Sequence, residues 1–204
     1  MTEEQVIIRQ VQDGDHNAFA QLVTAHEKQV YNLCLRMVGN PEDAQDLAQE
    51  AFLKAWRGLA FYKGDSSFAT WLYRLTSNVC IDFLRRQKRR PTVSLTVDDE
   101  EEDWEQTIPD SALLPEQQLE QKEQQRLIAA AMEQLEEEFR QILTLRIVQD
   151  LPYEQIAAVM DLKVGTVKSR LARARTKLKI ILHRSGNIFG MDASNPTERG
   201  VDAP

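Results

Sequence analysis

Between Val164 and Lys179 the chain reads VGTVKSRLARARTKLK, with six Lys or Arg residues and no carboxylate. At about 100° per residue, Val167, Leu171, Ala174 and Leu178 fall on one face and should be buried. Ser169, Ala172, Arg173 and Thr176 point the opposite way, with Thr166 and Lys168 flanking them near the N-terminal end. Upstream, DLPYEQIAAVM predicts a short helix with Ile156, Ala157 and Met160 inward, and DLKVG predicts a tight connection closed by Gly165. Two short helices joined by a turn, the second basic on its outer face, make a helix-turn-helix. Charge alone favours a solvated basic helix, a calmodulin-like target or a membrane-surface helix over DNA binding. The turn, the preceding helix and the apolar stripe together favour DNA. In a major groove, Lys and Arg can donate to guanine, and Ser or Thr can bond base edges or phosphates. Arg170, Arg175, Lys177 and Lys179 lie off the outward face or late in the helix, and are expected on phosphates or in internal ion pairs.

A second group of residues suits unstacked bases, in FYKGDSSFATWLYRLTSNVCIDFLRRQKRR. Phe68, Trp71, Leu72, Leu75 and Val79 form a core stripe, and KGDSS makes a polar turn entering the helix. Outside the stripe remain Phe61, Tyr62, Tyr73, Arg74, Ser77 and Asn78, and the helix ends in Arg85, Arg86, Lys88, Arg89 and Arg90. Flat rings offer stacking surfaces and the cations suit a nucleic-acid backbone. Phe68 and Trp71 are read as core.

The third group belongs to protein docking. GNPEDAQDLAQEAFLKAW opens with Asn40 as N-cap, Pro41 at the first helical position, and Glu42 and Asp43 in the first turn. Ala44, Leu47, Ala48, Ala51, Phe52 and Ala55 form the buried face. Asp46, Gln49, Glu50, Leu53 and Arg57 face outward with Trp56 at the margin, a mixture that fits a partner better than bulk water.

Residues for catalysis or metal binding do not assemble in the sequence. His16, His26 and His183 are scattered, and there is no Gly-rich phosphate loop, nucleophile elbow or zinc spacing. Cys34 and Cys80 sit in apolar helical patterns and are expected as buried free thiols. We therefore expect no cofactor, no metal and no enzymatic activity. The acidic N-terminal stretch MTEEQ does not resemble a signal peptide, so a soluble, intracellular protein is expected.

The elements that position these groups are helical, because apolar residues recur at helical spacing and strand-like alternation is absent. The 204-residue chain has a formal charge of -7, but this charge is concentrated. Residues 1–90 hold 12 basic and 11 acidic side chains, residues 91–125 hold one basic and 11 acidic, and residues 126–184 hold 11 basic and 7 acidic. The acidic middle, with three prolines between Pro91 and Pro115 and six consecutive carboxylates from Asp98 to Asp103, reads as a flexible, self-repelling linker. Trp104 within it suggests a docking point. The expected architecture is all-α: a helical domain over 1–92, an acidic linker over 93–120, a helix-turn-helix domain over 121–184 and a disordered tail over 185–204. A response regulator would need a domain of alternating strands and helices, which the N-terminal half lacks. A helical adaptor would explain Leu53 and Trp56 but not the second basic helix.

DAQDLAQEAFLKAW, FYKGDSSFATWLYRLTSNVCIDFLRR and LPYEQIAAVMDLKVGTVKSRLARARTKL, in this order around an acidic linker, resemble the extracytoplasmic-function (ECF) sigma factors of the sigma-70 family. These are bacterial subunits that give RNA polymerase its promoter specificity. The resemblance implies that Asp46, Gln49, Glu50 and Leu53 dock on the clamp helices of the largest subunit of core RNA polymerase. It implies that Tyr62, Lys63, Gly64, Asp65, Ser66, Tyr73, Arg74, Ser77, Asn78 and Asp82 read the minus-ten element. The KGDSSF loop would capture a flipped non-template base, while Asn78 and Asp82 face the opened strand. Thr166, Lys168, Ser169, Ala172 and Arg173 would read the minus-thirty-five element, in duplex promoter DNA. Ala172 is smaller than the side chain often found there, so the preferred sequence could differ. The linker would thread the polymerase interior, where its charge could occupy a nucleic-acid channel; a plain spacer is the alternative. An anti-sigma factor is expected as a further partner, and the protein should be cytoplasmic or held at the membrane through that partner. The tail after Arg184 exceeds the usual family end.

Overall fold

The computed structural model describes residues 2–89 and 115–184, with side chains from residue 123 onward in the second segment. The acidic run, Trp104, Arg90 and the tail all lie outside the described residues. Helix α1 (Glu3–Gln12) starts with a reciprocal capping box between Thr2 and Gln5. A short 3-10 turn leads into α2 (Phe19–Val38), which stops where Gly39 adopts φ 81°. Helix α3 (Pro41–Gly58) begins as its sequence predicts: the Asn40 side chain accepts from the Asp43 amide at 3.0 Å. A 3-10 turn at Leu59–Phe61 and an irregular loop then lead to α4 (Phe68–Arg89).

Helices α2, α3 and α4 pack around one another, and α1 lies across α2. Small side chains on α3 let its neighbours approach closely: Ala44, Ala51 and Ala55 are fully buried, as are Leu33, Met37, Leu72 and Val79 on α2 and α4. Phe52, Trp71 and Leu75, expected in the buried stripes, are only half-buried at the cluster's edge. Cys34 and Cys80 are buried free thiols. Their mutual hydrogen bond, then burial, pushes Cys34 well above the ordinary thiol range.

The second unit comprises α5 (Pro115–Glu133), α6 (Glu137–Leu143), a π-helical turn at Thr144–Val148, α7 (Tyr153–Met160) and α8 (Val164–Arg184). Helix α5 begins at Pro115, inside the segment expected as linker, because the proline can occupy a first helical turn. Three residues separate α7 from α8, as a helix-turn-helix requires. The turn differs in detail from the sequence reading. Its left-handed residue is Asp161 at φ 54°, whereas Gly165 sits in the first turn of α8 with a negative φ.

The two units do not stand apart. Helices α2 and α4 contact the second unit at α5, α6, α7 and the π-helical turn. Arg140, 7% exposed, is the central polar contact. Its Nη1 donates to the Met37 carbonyl at 2.6 Å, one of the carbonyls left without an intrahelical partner at the end of α2. Its Nε donates to the Met132 carbonyl at 2.9 Å, and Nη2 reaches the Glu133 carbonyl. Burial lowers the guanidinium pKa, opposed by Glu133 and Glu137. Nearer the rim, Glu137 meets Lys88 at 2.6 Å and Arg85 at 3.7 Å, while Gln149 donates to the Gln29 carbonyl at 3.0 Å. Among the described residues every element is helical or turn, with no strand.

Candidate nucleic-acid interface

On α8, Val167, Leu171 and Ala174 are buried and Leu178 is half-buried. Rotating the helix to bury this stripe exposes Thr166, Lys168, Ser169, Ala172 and Arg173 together. The Ser169 hydroxyl donates to the Thr166 carbonyl at 3.0 Å, and that of Thr176 to the Ala172 carbonyl at 3.1 Å. Both hydroxyl oxygens therefore remain available as acceptors. Lys168 Nζ lies 5.9 Å from the Tyr153 ring centroid, with Arg146 5.6 Å from the same ring, which brings two cations to one aromatic ring. Other charges on α8 support its own unit: Arg170 meets Glu138 at 2.9 Å, and Lys177 bonds Glu136. The Lys177 hydrogen bond holds the Glu136 carboxyl below its ordinary pKa. Arg175 and Lys179 are exposed.

The loop before α4 is closed by its own side chains. Tyr62 Oη donates to the Ser66 carbonyl at 2.6 Å, and the Ser67 hydroxyl accepts from the Thr70 amide at 3.2 Å. Gly64 takes φ 81°, a conformation that disfavours side chains. The Tyr62 ring is fixed against Phe68 and Trp71, at centroid distances of 6.0 and 5.1 Å. Burial, then Glu4 and Asp65, raises the Tyr62 pKa, so its hydroxyl stays a donor. Lys63, Gly64 and Asp65 are exposed at the loop tip and Ser66 is half-buried. Beside them Phe61 is 82% exposed, a bare ring next to a polar loop.

Helix α4 separates its expected site residues into two sets. Arg74, Asn78 and Asp82 recur every four residues as an exposed stripe. Tyr73 and Ser77 lie instead on the buried side, at 6% and 0% exposure. Placing them outward misjudged the stripe: their neighbours Leu72, Thr76 and Val79 bury that side of the helix. In this packed form they offer no side-chain surface to a strand. Arg74 is also engaged, since its Nε donates to the Ala158 carbonyl of α7 at 3.0 Å.

On α3, Asp46, Gln49 and Leu53 are exposed, Leu53 at 56%. Glu50 is half-buried and pairs with Lys54 at 2.9 Å. Trp56 turns inward, edge-on to Phe19 and His16 at 5.0 Å from each. Sequence reasoning overlooked two features: Arg140 as the polar contact between units, and α1 as a neighbour of the loop. The signal for Arg140 was a basic residue one position after Phe139 and two before the apolar pair Ile142–Leu143. No group of three or more His, Cys, Asp or Glu that could hold a metal occurs among the described residues.

Two family models match: sigma-70 region 2 over residues 22–90, and sigma-70 region 4 over residues 125–178. RNA polymerase sigma-H factor of Pseudomonas aeruginosa is 41% identical over 177 residues, covering 85% of this chain and 90% of that protein. ECF RNA polymerase sigma-E factor of Escherichia coli K12 is 40% identical over 179 residues, covering 84% and 90%. Among solved structures, CnrH in complex with the cytosolic domain of CnrY shares the fold with TM-score 0.64 at 24% identity, covering 89% of this chain and 97% of that one. RpoE with the anti-sigma factor NepR from Bartonella quintana gives TM-score 0.60 at 20% identity, covering 81% and 96%. The helix-turn-helix, the two family matches in order and the near full-length similarity to sigma-E and sigma-H factors agree: the chain belongs to the ECF sigma factors of the sigma-70 family.

Proposed function

We propose that this protein binds core RNA polymerase, recognises a two-part promoter and promotes DNA opening, without catalysing a reaction itself. The observation that carries this reading is the outward face of α8, where Thr166, Lys168, Ser169 and Arg173 are exposed together within a helix-turn-helix. Helix α3 is the polymerase-docking element, with Leu53 as its apolar contact amid Asp46, Gln49 and Glu50. The Tyr62–Ser66 loop receives a flipped base, and the Arg74, Asn78 and Asp82 stripe faces the opened strand. Phe61 is a further candidate for stacking. An anti-sigma factor controls access to these faces, as the relative crystallised with NepR suggests. Among the described residues no helix is long and apolar enough to cross a membrane, so any membrane attachment is assigned to that partner.

The packed arrangement bears on this function. Elements centred at minus ten and minus thirty-five are about 25 base pairs apart, roughly 85 Å along a duplex at ~3.4 Å per step. Arg74 of the minus-ten stripe is hydrogen-bonded to α7, the helix preceding the minus-thirty-five reader. Both elements cannot be occupied while that contact holds, so promoter binding requires the units to separate. Nuclease footprinting on a promoter fragment tests the function. Core plus this protein should protect two patches about 25 base pairs apart; core alone should protect neither. Absence of both patches with every template would refute the reading.

A further inference from the structure

Helix α1 lies outside the minus-ten and polymerase-docking groups described above, yet it forms one side of a recess with the Tyr62–Ser66 loop. The recess has a volume of about 490 Å³. Ile8 and Phe68, both nearly buried, underlie it, while Tyr62 contributes an aromatic ring and Gln12, Arg9 and Lys63 polar groups. Gln12 makes the most specific contact. Its Nε2 donates to the Leu59 carbonyl at 2.9 Å and to the Tyr62 carbonyl at 3.0 Å, across nearly fifty residues of sequence. One amide thus joins the 3-10 turn that ends α3 to the first residue of the loop. Tyr62 in turn fixes Ser66, so both ends of the exposed segment Lys63–Asp65 are held. Helix α1 is itself anchored by buried Ile8 and Val11, and by Glu4, which meets His26 at 2.9 Å. Arg9 is exposed and forms no ion pair among the described residues.

We propose that α1 is the second wall of a nucleotide pocket, in which Gln12 is a positioning residue for the loop and Arg9 supplies a cation to the captured nucleotide. The proposal rests on the reading that the loop captures a base. Flipping a base costs unstacking, so a pocket already shaped in the free protein retains more of the contact energy. The Tyr62 ring suits a base, while Arg9 and Lys63 suit its flanking phosphate. Glu4, an acid on this wall, is held by His26 at 2.9 Å.

Holoenzyme formed from core polymerase and the full chain is offered a single-stranded DNA pool randomised at eight consecutive positions, and bound sequences are counted. Gln12→Met keeps the side chain's length but removes the donor to both carbonyls without adding a charge. It should reduce preference at one position about tenfold, the scale of one lost specific base contact, with other positions, core affinity and thermal midpoint unchanged. Arg9→Gln, on an exposed residue, should weaken binding to all bases and reduce the salt slope by about one. Unchanged preferences and salt slope in both variants would overturn the proposal, provided that Lys63→Ala and Asp65→Ala alter binding. If those loop variants are also silent, the base-capture reading itself fails. A uniform loss with a lowered thermal midpoint in Gln12→Met would reduce Gln12 to a fold-supporting residue and also overturn the proposal.

Discussion

Reversing the charge of Glu137 should open the packed protein. This carboxylate is the first residue of α6, and its side chain is only 16% exposed between Lys88 at 2.6 Å and Arg85 at 3.7 Å on α4. The two cations are 68% and 55% exposed, so each pair is worth the modest ~0.2–1 kcal/mol of a solvated ion pair. Removing both attractions with Glu137→Gln should cost the packed form about 1 kcal/mol, and Glu137→Lys adds repulsion, for about 1–2 kcal/mol in total. At ~1.4 kcal/mol per tenfold change, the ratio of packed to open molecules should fall roughly five- to thirtyfold. Single-molecule energy transfer can read this between dyes on Ala20→Cys and Lys179→Cys, both at exposed positions on different units. Cys34 and Cys80 are fully buried and should resist labelling. Glu137→Lys should increase the low-transfer population, and adding Lys88→Glu should partly restore the packed one, because that ion pair is rebuilt with reversed polarity. An unchanged distance distribution, or opening that the second substitution does not reverse at all, would refute the assignment of Glu137 as a clasp.

Lys168→Ala and Arg173→Ala should each weaken recognition of the upstream element by about 1–3 kcal/mol at one base position, read by competition with single-base promoter variants. Equal losses on every sequence would make them phosphate contacts. Asp46→Ala with Leu53→Ala should impair binding to core polymerase without lowering thermal stability, since Asp46 and Leu53 are exposed; calorimetry and a core-binding titration separate the two effects. Arg140→Met should destabilise the protein by about 3 kcal/mol in urea unfolding, because the Met37 and Met132 carbonyls lose a charged donor. Phe61→Ala should leave stability within ~0.5 kcal/mol, as expected for an exposed site. If its ring stacks on the opened strand, the same variant should lose about 1–3 kcal/mol of single-strand affinity.

Periodicity made the helices and much of their polarity legible. The small residues of α3 and the VxxxLxxA stripe of α8 could face only a core, and burying them exposed Asp46, Gln49, Leu53, Lys168 and Arg173. The same reasoning failed on α4, where aromatic and small polar residues surround much of the helix. A tyrosine can turn its ring inward and a serine is small enough to bury, so residue type did not reveal that Tyr73 and Ser77 lie inside. Contacts between distant segments were not legible either. Arg140 reaches the Met37 carbonyl and Gln12 reaches the Tyr62 carbonyl, and an acceptor that every residue carries leaves no mark in sequence. The turn before α8 shows the same limit: Gly165 suggested the sharp bend, but Asp161 adopts it.

The most direct measurement is transcription in vitro from a genomic template with core RNA polymerase, with 5′ ends mapped by sequencing. The account predicts new start sites that depend on this protein, preceded by two shared sequence elements about 25 base pairs apart, and a changed upstream element when Lys168 and Arg173 are replaced by alanine. Stimulation of no start site on any template, or start sites unaffected by those substitutions, would contradict it.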